Sequence, residues 1–151
     1  MDNNEILRRL RFILSAEDTA LIQCFQTGGC QLSPAHIQPF LAAQSDDEYT
    51  VCEDAHFIQF LEGLIIERRG PSPKPVSPPA SIDNNGILKK IRIALTLEAR
   101  DLDNIFMLAD CEMSSHEISA LYRKPSNKHF VPCDDGLLEK FFNGLSVYMR
   151  T

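Results

Sequence analysis

Whatever chemistry this chain performs would come from a few polar positions that occur twice. Asn3 and Asn4 return as Asn84 and Asn85, and Cys52 and Asp54 return as Cys133 and Asp135. The cations Arg8, Arg9 and Arg11 return as Lys89, Lys90 and Arg92. Each set has a chemistry it suits. Paired asparagines at two helix starts would meet an anion, because helix N-termini favour negative charge. The simpler account is that they cap those helices, a place asparagine strongly prefers. Four thiols related by repetition, Cys30, Cys52, Cys111 and Cys133, suggest zinc. However, zinc proteins supply ligands in close pairs such as C-x₂-C, and no such pair occurs here. His36, His56, His116 and His129 do not repeat one another, so no metal and no cofactor are expected, and buried thiols acting as small apolar residues are the default.

The six cations are candidate phosphate or nucleic-acid contacts. Three basic positions spanning one turn make a short recognition surface, and no aromatic residues stand between them. The alternative is a solvated face pairing with nearby carboxylates. Asp54 and Asp135 fit the start of the fourth helix, as its cap or as negative charge in its first turn. Together Asn3, Asn4, Cys52, Asp54, Asn84, Asn85, Cys133 and Asp135 are the candidate ligand-binding set, placed in a groove between two halves.

The elements that must position these residues follow from the repetition itself. Residues 2–69 fall on 83–150 without a gap, and 20 of the 68 positions are identical. A self-match of that length is one structural unit used twice. Ile6, Leu7, Leu10, Ile13 and Leu14 recur at helical spacing, as do Ile87, Leu88, Ile91, Ala94 and Leu95. A second helix starts near Glu17 and Asp18 and carries Leu21, Cys24 and Phe25, with Gly28 and Gly29 ending it. Its copy carries Leu102, Ile105 and Phe106.

Ser33 before Pro34 marks a third, short helix, which Pro39 is expected to bend or delay. In the copy Ser114 and Glu117 form a capping box. Phe57, Phe60, Leu61, Leu64 and Ile65 form the inward stripe of the fourth helix, and Leu138, Phe141, Phe142, Leu145 and Met149 that of its copy. Gly63 and Gly144 interrupt both, which points to close helix approach. No alternating strand pattern occurs.

The fold class is therefore all-α: a tandem duplication of a unit of about 68 residues with four helices, the halves related by a pseudo-twofold. Residues 1–69 are the first repeat and 83–151 the second. The intervening GPSPKPVSPPASI, residues 70–82, holds five prolines and reads as an extended connector reaching ~40 Å. Units this small are marginal alone, so the halves are expected to pack as one globular body.

Composition narrows the function classes. The 151 residues carry a net charge of −6, concentrated in residues 1–69, which hold 5 basic and 11 acidic side chains against 9 and 10 in residues 83–151. Such a chain is a poor general binder of nucleic acid. The loop Ser45-Asp46-Asp47-Glu48 is acidic where its copy Ser126-Asn127-Lys128-His129, preceded by Arg123 and Lys124, is basic. These loops could attract each other within a chain or between two chains. Five cysteines with no close pair argue against a disulfide framework. No apolar run reaches the ~20 residues a bilayer requires, and the N-terminus has no leader-like core. A cytoplasmic protein without membrane contact is expected.

The double signature N-N-x-I-L-[KR]-[KR]-x-R, then F/Y-x-x-C-x-D and F-[LF]-x-G-L, spans Asn3–Arg11, Tyr49–Asp54 and Phe60–Leu64, and again Asn84–Arg92, Phe130–Asp135 and Phe141–Leu145. It resembles the YehS-like family of small bacterial proteins, over essentially the whole chain. The resemblance implies a bacterial, cytosolic, duplicated protein of unknown function, with no catalytic or binding residues to carry over. No P-loop, Rossmann glycine pattern, H-E-x-x-H or G-x-S-x-G occurs. The first expectation is a non-catalytic helical binding or interaction module with a protein partner or a second copy as a homodimer. The second is a nucleic-acid-associated or regulatory protein using the basic first helices. An enzyme has the least support.

Overall fold

The computed structural model describes residues 1–71 and 79–150. The central part of the proline-rich connector therefore lies outside the described residues. Every described element is a helix. The chain divides into two compact units, Met1–Ile82 and Asp83–Thr151, and each carries the same four helices in the same order. In the first these are α1 (Asn3–Ile13), α2 (Asp18–Thr27), α3 (Pro34–Leu41) and α4 (Asp54–Arg69). In the second they are α5 (Asn84–Leu95), α6 (Ala99–Leu108), α7 (Ser115–Leu121) and α8 (Asp135–Tyr148).

The helix starts correct one sequence expectation. Neither asparagine of the pair is the cap. Asp2 caps α1, its carboxylate accepting from the Glu5 amide at 2.8 Å, and Asp83 caps α5, accepting from the Gly86 amide at 2.7 Å. Asn3 and Asn4 fall in the first turn instead, where side chains lean back toward the N-terminus and are free to reach other segments. Before the fourth helices the aspartates stand in the first turn, at the charged start expected of them. Glu53 and Asp134 hold the cap positions, and Asp54 and Asp135 are the first helical residues.

The third helices agree better with their signals. The Ser114–Glu117 capping box forms in both directions, at 3.1 and 3.0 Å. Its counterpart uses His36, whose Nδ1 accepts from the Ser33 amide. The helix starts at Pro34 and runs through Pro39, so the expected delay does not occur. The Pro39 carbonyl takes an amide proton from Thr50 in the following loop.

The core of each unit is apolar and aromatic. Phe25, Phe57 and Phe60 are fully buried in the first, Phe106, Phe141 and Phe142 in the second. Helix α4 buries a wider arc than the sequence stripe implies, because Ile58 is also fully enclosed while Ile65 is only half-buried. In α8 the matching residue is Glu139, and Met149 at the end of the stripe is exposed.

The repeated glycines mark where the second and fourth helices cross within a unit. A Cβ on Gly63 would lie 1.6 Å from the Cys24 carbonyl oxygen, and one on Gly144 would lie 1.9 Å from that of Ile105. The backbones touch there, and only glycine permits it. The turns after the first helices also match, with Ser15 and Thr96 both left-handed at φ 51° and 54°.

Candidate functional site

The duplicated polar residues come together in each unit, around the loop that joins its third and fourth helices. Asn4 is 1% exposed. Its Nδ2 donates to the Phe40 carbonyl at 3.0 Å and the Thr50 carbonyl at 2.7 Å, and its Oδ1 accepts from the Cys52 amide at 2.9 Å. The Tyr49 hydroxyl adds a fourth contact to Oδ1 at 3.3 Å. Asn85 repeats the arrangement, with Nδ2 on the Leu121 and Val131 carbonyls at 2.9 and 3.0 Å and Oδ1 on the Cys133 amide at 2.9 Å. An asparagine amide has two donors and one acceptor oxygen, and here all are used on backbone. The side chain supplies the loop with partners that an irregular buried segment otherwise lacks.

Asn3 and Asn84 complete the frame. Asn3 Nδ2 donates to the Cys52 carbonyl at 3.0 Å and to Asp54 Oδ1 at 2.8 Å; Asn84 Nδ2 makes the same bonds to Cys133 and Asp135 at the same distances. The Asn84 bond holds the Asp135 carboxyl below its ordinary range. Asp54 Oδ2 also accepts from the amide of Ile82, the last residue of the connector, at 3.3 Å. These eight residues thus form two closed hydrogen-bond frames, one in each unit.

The thiols are set into these frames as small buried groups. Burial, with acidic neighbours adding to it, pushes Cys52 and Cys133 up to about 12. Desolvated thiols of this kind stay protonated and are poor nucleophiles and ligands. Among the described residues no group of three or more His, Cys, Asp or Glu is placed to hold a metal. Cys30 does lie 3.4 Å from His56 Nδ1, beside a cavity of about 250 Å³. Burial raises that thiol as well.

Three of the six cations are engaged within their own units. Arg8 Nη1 donates to the Ala42 carbonyl at 3.0 Å, at the C-terminus of α3, where a cation meets the helix dipole. Arg11 is paired with Asp18 at 2.9 Å. Arg92 donates through Nε to the Leu97 carbonyl at 3.0 Å and lies over the Tyr122 ring, 4.9 Å from its centroid. Lys89 and Lys90 are half-buried, as is Arg9. The charge-reversed loops keep one backbone: the Glu48 amide donates to Asp46 Oδ1 and the His129 amide to Asn127 Oδ1, both at 2.8 Å.

A feature that sequence reasoning passed over lies where the repeats differ. In the first unit an apolar hollow of about 530 Å³ opens between the α1–α2 turn, α2 and α4. Its inner surface is made by Leu21, Cys24, Phe60 and Leu64, all buried, with the small side chains of Ala16 and Ala20 beside them. Glu17, Gln23, Glu67 and Arg68 are its exposed lining. At the matching positions the second unit has larger groups. Leu97 replaces Ala16 and Ile105 replaces Cys24, and both are buried. Asp101 and Tyr148 replace Ala20 and Glu67, and the tyrosine hydroxyl donates to the aspartate. The signal was present in the sequence as a size difference at positions 16/97, 20/101 and 24/105.

Comparison with known proteins fits the repeat boundaries. Residues 3–70 and 84–151 each match the family described as a protein of unknown function, DUF1456. The chain belongs to the DUF1456 family. It is 34% identical over 149 residues to the uncharacterized protein YehS of Escherichia coli (strain K12), covering 97% of this chain and 96% of YehS. No solved structure matches. The DUF1456 unit is thus the four-helix repeat itself, present twice. No helix among the described residues is long and apolar enough to cross a membrane.

Proposed function

We propose that the protein is a non-catalytic helical binding module whose first repeat receives an apolar group. One observation carries this reading: the hollow of about 530 Å³ in the first unit, at a place where the second unit has larger side chains on the same frame. Ligand pockets usually measure ~300–1,000 Å³ and are lined mainly by apolar side chains with a few polar groups at the edge. The duplicated asparagines, aspartates and cysteines serve the fold in this reading, since they bond to backbone and to one another within the two frames. That leaves no activated nucleophile or poised base among them. The nucleic-acid alternative draws no support from Arg8, Arg11 and Arg92, which are engaged within their own units.

The test is titration with 1-octanol, followed by amide chemical shifts. Wild-type protein is expected to show saturable binding to one site. The double variant Ala16→Leu/Cys24→Ile, which installs the residues the second repeat itself uses, is expected to keep its helicity and lose the binding. Equal binding by both proteins, or none by either, overturns the proposal.

A further inference from the structure

We infer that the hollow of the first repeat selects organic cations, an alkyl or aryl body in the hollow with a protonated amine at its edge. This rests on the binding reading above and adds the charge of the ligand to it. The inner wall of Leu21, Phe60 and Leu64 offers only hydrocarbon, so the enclosed part of a ligand has to be apolar. The edge is where a head group would lie. It holds two carboxylates, Glu17 and Glu67, against one guanidinium, Arg68.

Glu17 occupies the cap position of α2 but its carboxylate makes no capping bond. Glu67 is held in place by the Thr27 hydroxyl, which donates to its Oε1 at 2.9 Å. An oriented carboxylate at the mouth of an apolar hollow attracts an ammonium group more strongly than one that turns freely in water. The balance extends inward: at the Cys24 thiol, after burial itself, the charge of Glu67 acts more strongly than the opposing charge of Arg68. The surroundings reinforce the sign, since residues 1–69 carry 11 acidic and 5 basic side chains. The second unit keeps a carboxylate at Glu98, the match of Glu17, but it has Tyr148 in place of Glu67, an Asp101 engaged by that tyrosine, and filled positions at 97 and 105.

The experiment compares three probes of one chain length, octylammonium, 1-octanol and octanoate, by calorimetry at low and physiological salt. At low salt octylammonium is expected to bind about fivefold more tightly than octanoate, the size of effect that exposed charge pairs give. Added salt should narrow that gap. Glu67→Gln should bring the ratio close to one while leaving octanol affinity unchanged, because it removes the charge and keeps the hollow. Octanoate binding as tightly as octylammonium, with octanol still bound, would overturn the charge inference and leave the apolar site standing. Failure of octanol to bind overturns both.

Discussion

Replacing Asn4 by alanine removes the side chain that organises the loop before α4. Three bonds of 2.7–3.0 Å to the Phe40 carbonyl, the Thr50 carbonyl and the Cys52 amide disappear together. Thr50 is exposed and its carbonyl can turn to water, whereas Phe40 and Cys52 are buried. A stranded buried polar group costs about 1–3 kcal/mol, so two of them cost roughly 2–6 kcal/mol, before the loss of Asn4's own packing. A unit of this size has a total stability of only about 3–10 kcal/mol, so the substitution removes a large share of it. Urea unfolding followed by circular dichroism gives the equilibrium loss, and hydrogen exchange of the Cys52 amide shows whether the loop has come free. Asn85→Ala should behave alike but slightly more mildly, since Phe130 cannot supply the contact that Tyr49 makes.

Asn4→Asp adds a sign test. Its carboxylate would face the Phe40 and Thr50 carbonyl oxygens, so its folded-state pKa would rise above the unfolded ~3.9. That variant should be most stable below pH ~4 and lose stability as pH rises through the folded value. A loss under about 1 kcal/mol for Asn4→Ala, with the Cys52 amide still protected, would refute the reasoning.

Further expectations follow from the same geometry. Gly63→Ala and Gly144→Ala should each destabilise by several kcal/mol, although the exchange usually favours a helix by ~1 kcal/mol, because their Cβ atoms would meet carbonyl oxygens at 1.6 and 1.9 Å; denaturant midpoints decide the sign. Thr96→Gly should stabilise by about 1 kcal/mol in the same assay, since a β-branched residue is held left-handed there at φ 54°. The buried thiols make stability fall in alkali. Cys24 is raised from 9.0 to about 11 and Cys52 and Cys133 to about 12, so their contribution is intact below pH 9 and lost as pH climbs toward 12. Iodoacetamide at neutral pH should accordingly modify Cys111, the one half-buried thiol, before the other four, as peptide mapping would show.

Periodicity located the eight helices of the described residues because each unit buries one stripe of each, and the Ser114–Glu117 box fixed its helix start through purely local bonds. The run Asp2-Asn3-Asn4 was harder to read. All three residues are good caps, and the choice among them is made by a loop 48 residues further along, whose carbonyls and amide need Asn4 more than the helix does. Burial of Ile58 likewise depends on how neighbouring helices enclose α4, which one helix's stripe does not encode. The hollow was hidden for the opposite reason. Cys24 reads as an ordinary core residue, Ala16 and Ala20 carry no signal of their own, and only the larger groups at 97, 101 and 105 give the three meaning. Identity between the repeats marks what holds the fold; the candidate site opens where they diverge, at 16/97, 20/101 and 24/105, over an inner wall that both repeats share.

The most direct test of that claim is an isotope-edited NMR measurement of contacts between bound 1-octanol and the protein's side chains. Proximity to Leu21, Phe60 and Leu64, and no contact with Leu102, Phe141 and Leu145 at the matching places, is the expected result. Contacts to both sets alike, or contacts only around Asn4 and Asn85, would contradict it.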